Sequence, residues 1–392
     1  MKPIEFTLLI AVLLAGPCLF AQSSLDSLLV RVEERNPTLI AAQSLLESRK
    51  LDARTGLTPP NPEVEFGYMW GDPTELGNRT DFQITQSFDF PTAYSSRSKL
   101  SKINLQQAEL EYNATRQEIL LAAHQAWVDR VYLNNLKFLL NDRLTYAEKV
   151  FEGFERRLET GEANQLQVNQ ARMKVMALEN EINTLQREYS ENTAELLNLT
   201  AEGKINITDL DFLISVPIIF DSLLFHYNVG YLNQMYETEV ERKSKEIDVV
   251  FNQKLPKLMA GYYSENVLDT KLRGIKAGIT IPLWGNARAV NTAKANLVFA
   301  ESDADRYWQL KQNELLQKYE QWIYLKERVT EMEELLAVSN NEILLRQAME
   351  AGEISLTQYF YESDFYFQNI LNLFEFKKEM LMLEADLRKV YY

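Results

Sequence analysis

The residues best able to do chemistry in this chain are carboxylates at two places of matching spacing. Glu159 and Glu162 bracket Gly161 in the run Glu159-Thr160-Gly161-Glu162-Ala163-Asn164, and Glu350 and Glu353 bracket Gly352 in Glu350-Ala351-Gly352-Glu353-Ile354-Ser355. A glycine between acids after a long helical stretch has two readings. In one, the glycine caps the helix in a left-handed conformation and the acids favour the N-terminus of the next helix. In the other, the acids form a charged surface that a partner meets. The two can hold together. The residues assigned to that surface are Glu159, Gly161, Glu162, Ala163, Asn164, Glu350, Gly352, Glu353, Ile354 and Ser355.

The rest of the inventory argues against catalysis. His124 and His226 are the only histidines, and neither stands in a pair with metal-ligand spacing. Each reads as a packed or solvated side chain. Acid pairs such as Glu33-Glu34 and Glu333-Glu334 read as solvated helix faces. No phosphate loop and no Gly-x-Ser-x-Gly motif is present. The chain is therefore expected not to be an enzyme and to carry no cofactor and no metal. A net charge of -15 weighs against nucleic acid, whose phosphates would be repelled.

The first residues set the compartment. Met1-Lys2, the apolar run Phe6 to Phe20 and a small residue at Ala21 read as a secretory signal peptide over residues 1–21. The single cysteine, Cys18, falls inside it. A lipoprotein signal would also place a cysteine there, although Pro17 fits that poorly. Beyond the leader no cysteine remains, which excludes disulfides and thiolate sites. No later run of about 18 apolar residues offers a spanning helix.

The acids must be positioned by long helices. Only 14 Gly and 11 Pro punctuate 392 residues, and they cluster. Between Pro91 and the Gly161 turn, a 3-4 spacing runs through Leu105, Ala108, Tyr112, Thr115, Ile119, Ala122, Ala126, Asp129, Leu133, Leu136, Leu140, Arg143, Ala147, Val150 and Phe154. A second set, Leu121, Val128, Val131 and Phe138, lies on roughly the opposite face. A helix apolar on two faces needs two neighbours. The return helix repeats the seam through Val168, Ala171, Val175, Leu178, Ile182, Leu185, Tyr189, Asn192, Leu196 and Leu199. A helix of roughly 70 residues is about 100 Å long.

Before Pro91 the period changes. Val64, Phe66, Tyr68 and Trp70 alternate with other residues, as do Phe82, Ile84 and Phe88, which gives a β-hairpin with one apolar face. Earlier still, Asn36-Pro37 starts a helix expected to run from Leu39 to Leu57. The second half repeats the first. Gly261-Tyr262 answers Gly67-Tyr68, Ile275 to Ile281 alternate in a second hairpin, and Pro282 answers Pro91. Pro91 to Gly161 and Pro282 to Gly352 are both 70 residues apart. The chain divides into a first repeat at 22–208, a connector at 209–230 and a second repeat at 231–392, an internal duplication.

Strands with one apolar and one polar face in an exported chain fit a membrane barrel. Four strands cannot close one, and open sheet edges are not tolerated in lipid. Strands pooled from three chains would give twelve, and their helices would give a tunnel wall. A structural coiled-coil rod of the envelope is the alternative, and it leaves the duplicated hairpins and the double seam unexplained. A periplasmic adaptor would need one helical hairpin flanked by β-domains.

Over nearly its whole mature length the chain resembles the TolC-type outer-membrane efflux proteins. The resemblance is carried by Asn36-Pro37-Thr38-Leu39 with Ala41-Ala42, Pro60-Asn61-Pro62, Gln86-Ser87-Phe88-Asp89-Phe90-Pro91, Gly161 to Ala171, Leu255-Pro256 and Ile281-Pro282-Leu283. Gln167 stands where the family commonly has an acid. The resemblance implies a mainly α fold with short β-hairpins, in which duplicated helical hairpins form a trimeric α-barrel tunnel in the periplasm. It also implies that four strands per chain enter a 12-stranded outer-membrane β-barrel. The implied partners are a homotrimer, outer-membrane lipid, a periplasmic adaptor met by the helical tips, and an inner-membrane pump of the resistance-nodulation-division type. The Phe88-Asp89-Phe90-Pro91 segment, residues 92–99 and the Gly352 to Leu356 tip look similar to the branch paired with heavy-metal cation pumps.

Overall fold

A computed structural model describes residues 24–71, 77–268, 270–282, 288–338 and 341–392. The leader with Cys18, the loop residues Asp72-Pro73 and the motif residue Leu283 lie outside the described residues. The elements, in order, are α1 (Ser24–Arg35), α2 (Pro37–Asp52), β1 (Glu63–Met69), β2 (Arg79–Phe88), α3 (Pro91–Glu159), α4 (Gln165–Thr200), α5 (Phe220–Asn228), α6 (Tyr231–Asn252), β3 (Lys257–Val267), β4 (Thr270–Thr280), α7 (Ala289–Val338), α8 (Asn341–Glu350) and α9 (Leu356–Leu387). A short 3-10 turn, Lys389–Tyr391, comes last. The chain forms two compact units, each built from both halves of the sequence.

The first unit takes residues 24–37, 119–215 and 322–386. Its axis is the α3–α4 seam. From Ala126 onward the expected positions are buried at Leu133, Leu136, Leu140, Ala147, Val150 and Phe154, and the return helix buries Val168, Ala171, Leu178, Leu185, Leu196 and Leu199. The polar member of that seam, Asn192, has a specific job. Its amide donates to the Ala126 carbonyl at 2.9 Å and its oxygen accepts from buried Arg130 at 2.8 Å. The Arg130 guanidinium lies 3.8 Å from the Tyr189 ring centre. A satisfied polar group inside an apolar seam fixes the register of the two helices. Asn36 fixes the start of the chain in the same way, by donating to the Leu199 carbonyl at 2.9 Å.

The second face of α3 is met within this unit by short segments. Leu121, Val128 and Val131 are buried. Beside them, Trp127 donates to Ser24 at 2.8 Å, and Asn134 donates to the carbonyls of Ile207 and Asp209 at 3.1 and 2.9 Å. The cover ends there: Phe138, the next residue of that face, is 68% exposed.

The second unit takes residues 38–118, 216–321 and 387–392. It holds one antiparallel sheet in the order β1-β2-β3-β4. The Phe88-Asp89-Phe90-Pro91 motif turns the chain from β2 into α3. Asp89 is nearly buried, ion-paired to Arg97 at 2.6 Å and to Lys257 at 3.3 Å, and its backbone N–H donates to the Tyr94 hydroxyl at 3.0 Å. Burial alone would raise its pKa, but the two cations outweigh that and hold it below the usual carboxylate range.

Three boundaries differ from the sequence reading. α2 ends at Asp52 rather than Leu57, and the turn after it has Gly56 at φ +71°. Residues 201–219 are irregular, but α5 comes next as a helix. Pro91 opens its helix, whereas Pro282 does not: α7 starts at Ala289.

His124, on α3 of the first unit, is pushed down to about 4 by burial, with Asp26 pulling the other way. The fold therefore holds it neutral while the unfolded chain takes up a proton near its ordinary value. Its contribution to stability is complete above about pH 6.5 and is lost as pH falls toward 4, up to about 3 kcal/mol. Melting followed by circular dichroism in detergent should drop between pH 7 and pH 4.5, and His124→Gln should flatten that drop.

Candidate functional site

Both tips belong to the first unit, and they are built alike. α3 ends at Glu159, and Gly161 takes φ +79°. Its N–H donates to Leu158 O at 3.1 Å, and Glu162 N–H donates to Arg157 O at 2.8 Å. α8 ends at Glu350, and Gly352 takes φ +75°. There Gly352 N–H donates to Met349 O at 3.1 Å, and Glu353 N–H to Ala348 O at 2.8 Å. These are the bonds of the glycine helix stop, made at equivalent positions of each repeat. The next helices are capped by side chains. Asn164 accepts from Gln167 N–H while the Gln167 side chain accepts from Asn164 N–H, a full capping box. Gln167, which stands where the family has an acid, thus serves its own helix. Ser355 accepts from Gln358 N–H at 3.2 Å.

The remaining tip residues divide by exposure. Glu159, Glu162, Glu350 and Glu353 are exposed. Ala163 and Ile354 are half-buried, and they bring the two tips together. Both pack on a core of Tyr146, Val150, Phe154, Val168, Ala171, Leu356 and Tyr359, drawn from α3, α4 and α9. The four acids do not stand alone. Lys149 pairs with Glu350 at 3.2 Å, and Arg156 and Arg157 line the adjoining groove of about 190 Å³ with Lys149 and Glu350. The tip surface is one of mixed charge.

Behind it lie cross-links that the sequence reading missed. Arg143, on the apolar seam, is buried with its guanidinium 3.9 Å from the Phe367 ring centre and paired to Asp364. Lys174 reaches the same carboxylate at 2.5 Å. Arg346 on α8 pairs with Asp142 on α3 at 2.6 Å and lies over the Tyr146 ring at 4.4 Å. Burial raises the pKa of Tyr146 and of Tyr359. One signal was readable: a charged residue at a heptad core position, Arg143, must be satisfied by something.

The second surface is the sheet, in the second unit. Pairing puts Val64, Ile84, Tyr262 and Ile275 in one row, with Phe88, Leu258 and Ile279 in another on the same face. These residues are exposed: Ile275 is 92% and Phe66 71% accessible, and the same face carries Arg273 in the row of Phe66 and Phe82 and Lys271 in the row of Tyr68 and Thr80. The opposite face carries Glu63, Glu65, Asp81, Glu265, Arg79, Lys276, Gln83 and Tyr263. No helix among the described residues is long and apolar enough to cross a membrane.

Gly161 and Gly352 would meet nothing if a methyl were added, so substitution there is limited only by the positive φ. Gly153, inside α3, also has open space around it and lies in an ordinary helical conformation. Gly161→Ala and Gly352→Ala should each cost roughly 1–2 kcal/mol, and Gly153→Ala should gain about 1 kcal/mol. Amide exchange in the last turns of α3 and α8 measures all three, with faster exchange for the first two and slower for the third.

Comparison with known proteins agrees with this architecture. Residues 28–202 match the family described as outer membrane efflux protein. No curated protein matches the chain. Among solved structures, CusC superposes with a TM-score of 0.80 at 15% identity, covering 93% of this chain and 91% of that one. A membrane protein from Pseudomonas aeruginosa gives 0.80 at 15% identity, covering 95% and 94%. The outer membrane protein VceC from Vibrio cholerae gives 0.76 at 16% identity, covering 93% and 95%. The chain therefore has the fold of the TolC-type channels, and its residues 28–202 match the outer membrane efflux protein family.

Proposed function

We propose that the chain is the outer-membrane channel component of a tripartite efflux system, a passive trimeric duct that carries small molecules or metal cations outward. One observation carries this reading. The four-stranded sheet has one exposed face that is mostly apolar, interrupted by Lys271 and Arg273 of β4, a charged opposite face and two outer strands, β1 and β4, each paired on one side only. In lipid each open backbone group costs several kcal/mol. Three copies pairing β4 of one chain with β1 of the next remove both edges and make a 12-stranded barrel. The apolar face then meets lipid and the charged face lines water.

The helices of the first unit would stand in the periplasm as the wall of the tunnel. Phe138, left exposed on the second face of α3, would be covered there by a neighbouring copy. CmeC, from Campylobacter jejuni, is an outer membrane channel that superposes with a TM-score of 0.75 at 15% identity. The pump is of the resistance-nodulation-division type, and the adaptor meets the tips at Glu159 to Asn164 and Glu350 to Ser355. An envelope coiled-coil protein would not need a sheet with an exposed apolar face. No enzymatic step is required of such a duct.

Two measurements test the reading. The full chain should fractionate with the outer membrane as a heat-sensitive trimer and give discrete conductance steps in planar bilayers. Extraction without detergent and no conductance would support the envelope rod instead. The double variant Glu162→Lys with Glu353→Lys should leave conductance intact and weaken cross-linking to the adaptor roughly ten-fold, the effect of about 1.4 kcal/mol. Unchanged cross-linking and efflux would remove the tips as the docking surface.

A further inference from the structure

The charged face of the sheet contains more than a water-compatible lining. Six of its side chains are charged: Glu63, Glu65, Asp81 and Glu265 against Arg79 and Lys276. A seventh, Lys257, is matched to Asp89 at 3.3 Å at the helix end of the sheet. The strand pairing puts Arg79 in the last row before both hairpin loops, opposite Met69 and Val267. There its Nε lies 2.8 Å from Asp81 and 3.0 Å from Glu265, and it donates to the Tyr263 hydroxyl at 2.9 Å. The same hydroxyl is 3.2 Å from Asp81 and 3.1 Å from Glu265. One guanidinium is thus held between two carboxylates and a phenol hydroxyl that itself contacts both. Lys276 is different: it is exposed and, among the described residues, donates to the Gln83 amide oxygen alone, at 3.3 Å. Glu63 and Glu65 form no ion pair among the described residues.

We propose that this face is the channel's ion filter and that Arg79 is its specificity-determining residue: the clamped cation holds a cation-preferring pore close to neutral at the hairpin-loop end. The inference rests on the channel reading above and names what sets the selectivity of that channel. Opposite faces of a strand alternate without exception, so a sheet that gives its apolar side to lipid must give these charges to the water inside. Rings of side-chain charge in a narrow aqueous passage select ions by sign. Each copy contributes two more carboxylates than cations on this face, so cations are favoured. Arg79 is the fixed positive charge at the point where Asp81 and Glu265 would otherwise face the water together, and its removal uncovers both. Neutralising those two carboxylates instead leaves Arg79 as the dominant charge of that ring.

The test is the reversal potential of the reconstituted full-length trimer under a KCl gradient. The wild type should prefer K⁺ over Cl⁻ near 0.1 M salt, and the preference should shrink toward 1 M, where the screening length falls to about 3 Å. Arg79→Ser should raise the K⁺ to Cl⁻ permeability ratio roughly two- to ten-fold. Asp81→Asn with Glu265→Gln should lower it below the wild-type value. Glu63→Gln, which leaves the Arg79 clamp untouched, should lower it less, and heat-sensitive trimers on gels establish that each variant has assembled. Conducting trimers whose ratio is the same in the wild type, Arg79→Ser and the double variant would overturn the filter and leave the duct standing. A salt-independent wild-type ratio would overturn it without recourse to any variant. A wild type that does not conduct would overturn the channel reading, and the filter with it.

Discussion

An antiparallel sheet that ends in β1 on one side and β4 on the other leaves a row of backbone N–H and C=O groups open at each end. In water such a row is hydrated at little cost. In hydrocarbon it is not tolerated. The same sheet carries a mostly apolar face that stays exposed among the described residues. The face demands an apolar surround and the edges forbid a lone sheet there. Both demands are met at once only when copies of the chain pair edge to edge. The duplication fits this constraint. On the duplication read from the sequence, each repeat would bring one hairpin and one helical pair, so that every copy in the proposed trimer would contribute to wall and barrel alike.

The tips show how far the duplication reaches into detail. Both end in a glycine of positive φ with the same pair of backbone bonds, and both restart on a polar side-chain cap. They differ in the cap itself, Asn164 with Gln167 in one and Ser355 in the other. That difference is small in energy, because each supplies an acceptor to an otherwise orphaned N–H. The bonds that hold the repeats to each other are less symmetrical. The apolar core joins Tyr146 and Phe154 of α3 to Leu356 and Tyr359 of α9, and the charged links are made by Arg143, Lys174 and Arg346.

Much of this was legible in the sequence because periodicity is a backbone property. The α4 seam from Val168 to Leu199 and the paired strands were readable from spacing alone, and the glycine stops from residue type. Three things were not. The start of α7 at Ala289 was one of them, because a proline such as Pro282 marks only where a helix is permitted to begin. The second apolar face of α3 was read as needing a neighbour on each side, but not which one; beside the buried Leu121, Val128 and Val131, Trp127 donates to Ser24 of α1 and Asn134 to the carbonyls of Ile207 and Asp209. A short covering segment leaves no periodic trace of its own. Arg346 has one local partner, Glu342, but Asp142, like Asp364 for Arg143, lies roughly two hundred residues away, and pairing over that distance is a tertiary fact that local spacing does not encode.

The charges at the tips and those behind them differ in their response to salt, and this separates docking from cohesion. Lys149 and Glu350 are both more than half exposed, and Arg156 meets Glu152 only at 3.9 Å between exposed side chains. Pairs of that kind contribute little to stability and are screened over a Debye length of about 8 Å at physiological ionic strength. Arg143 is 8% exposed and rests on the Phe367 ring as well as on Asp364, so water and salt reach it poorly. Raising ionic strength therefore loosens whatever binds the outer acids and arginines while leaving the two hairpins joined. If the tips are the docking surface proposed above, a screened outer surface and a buried core that joins the hairpins lie within one tip, distinguished by burial alone.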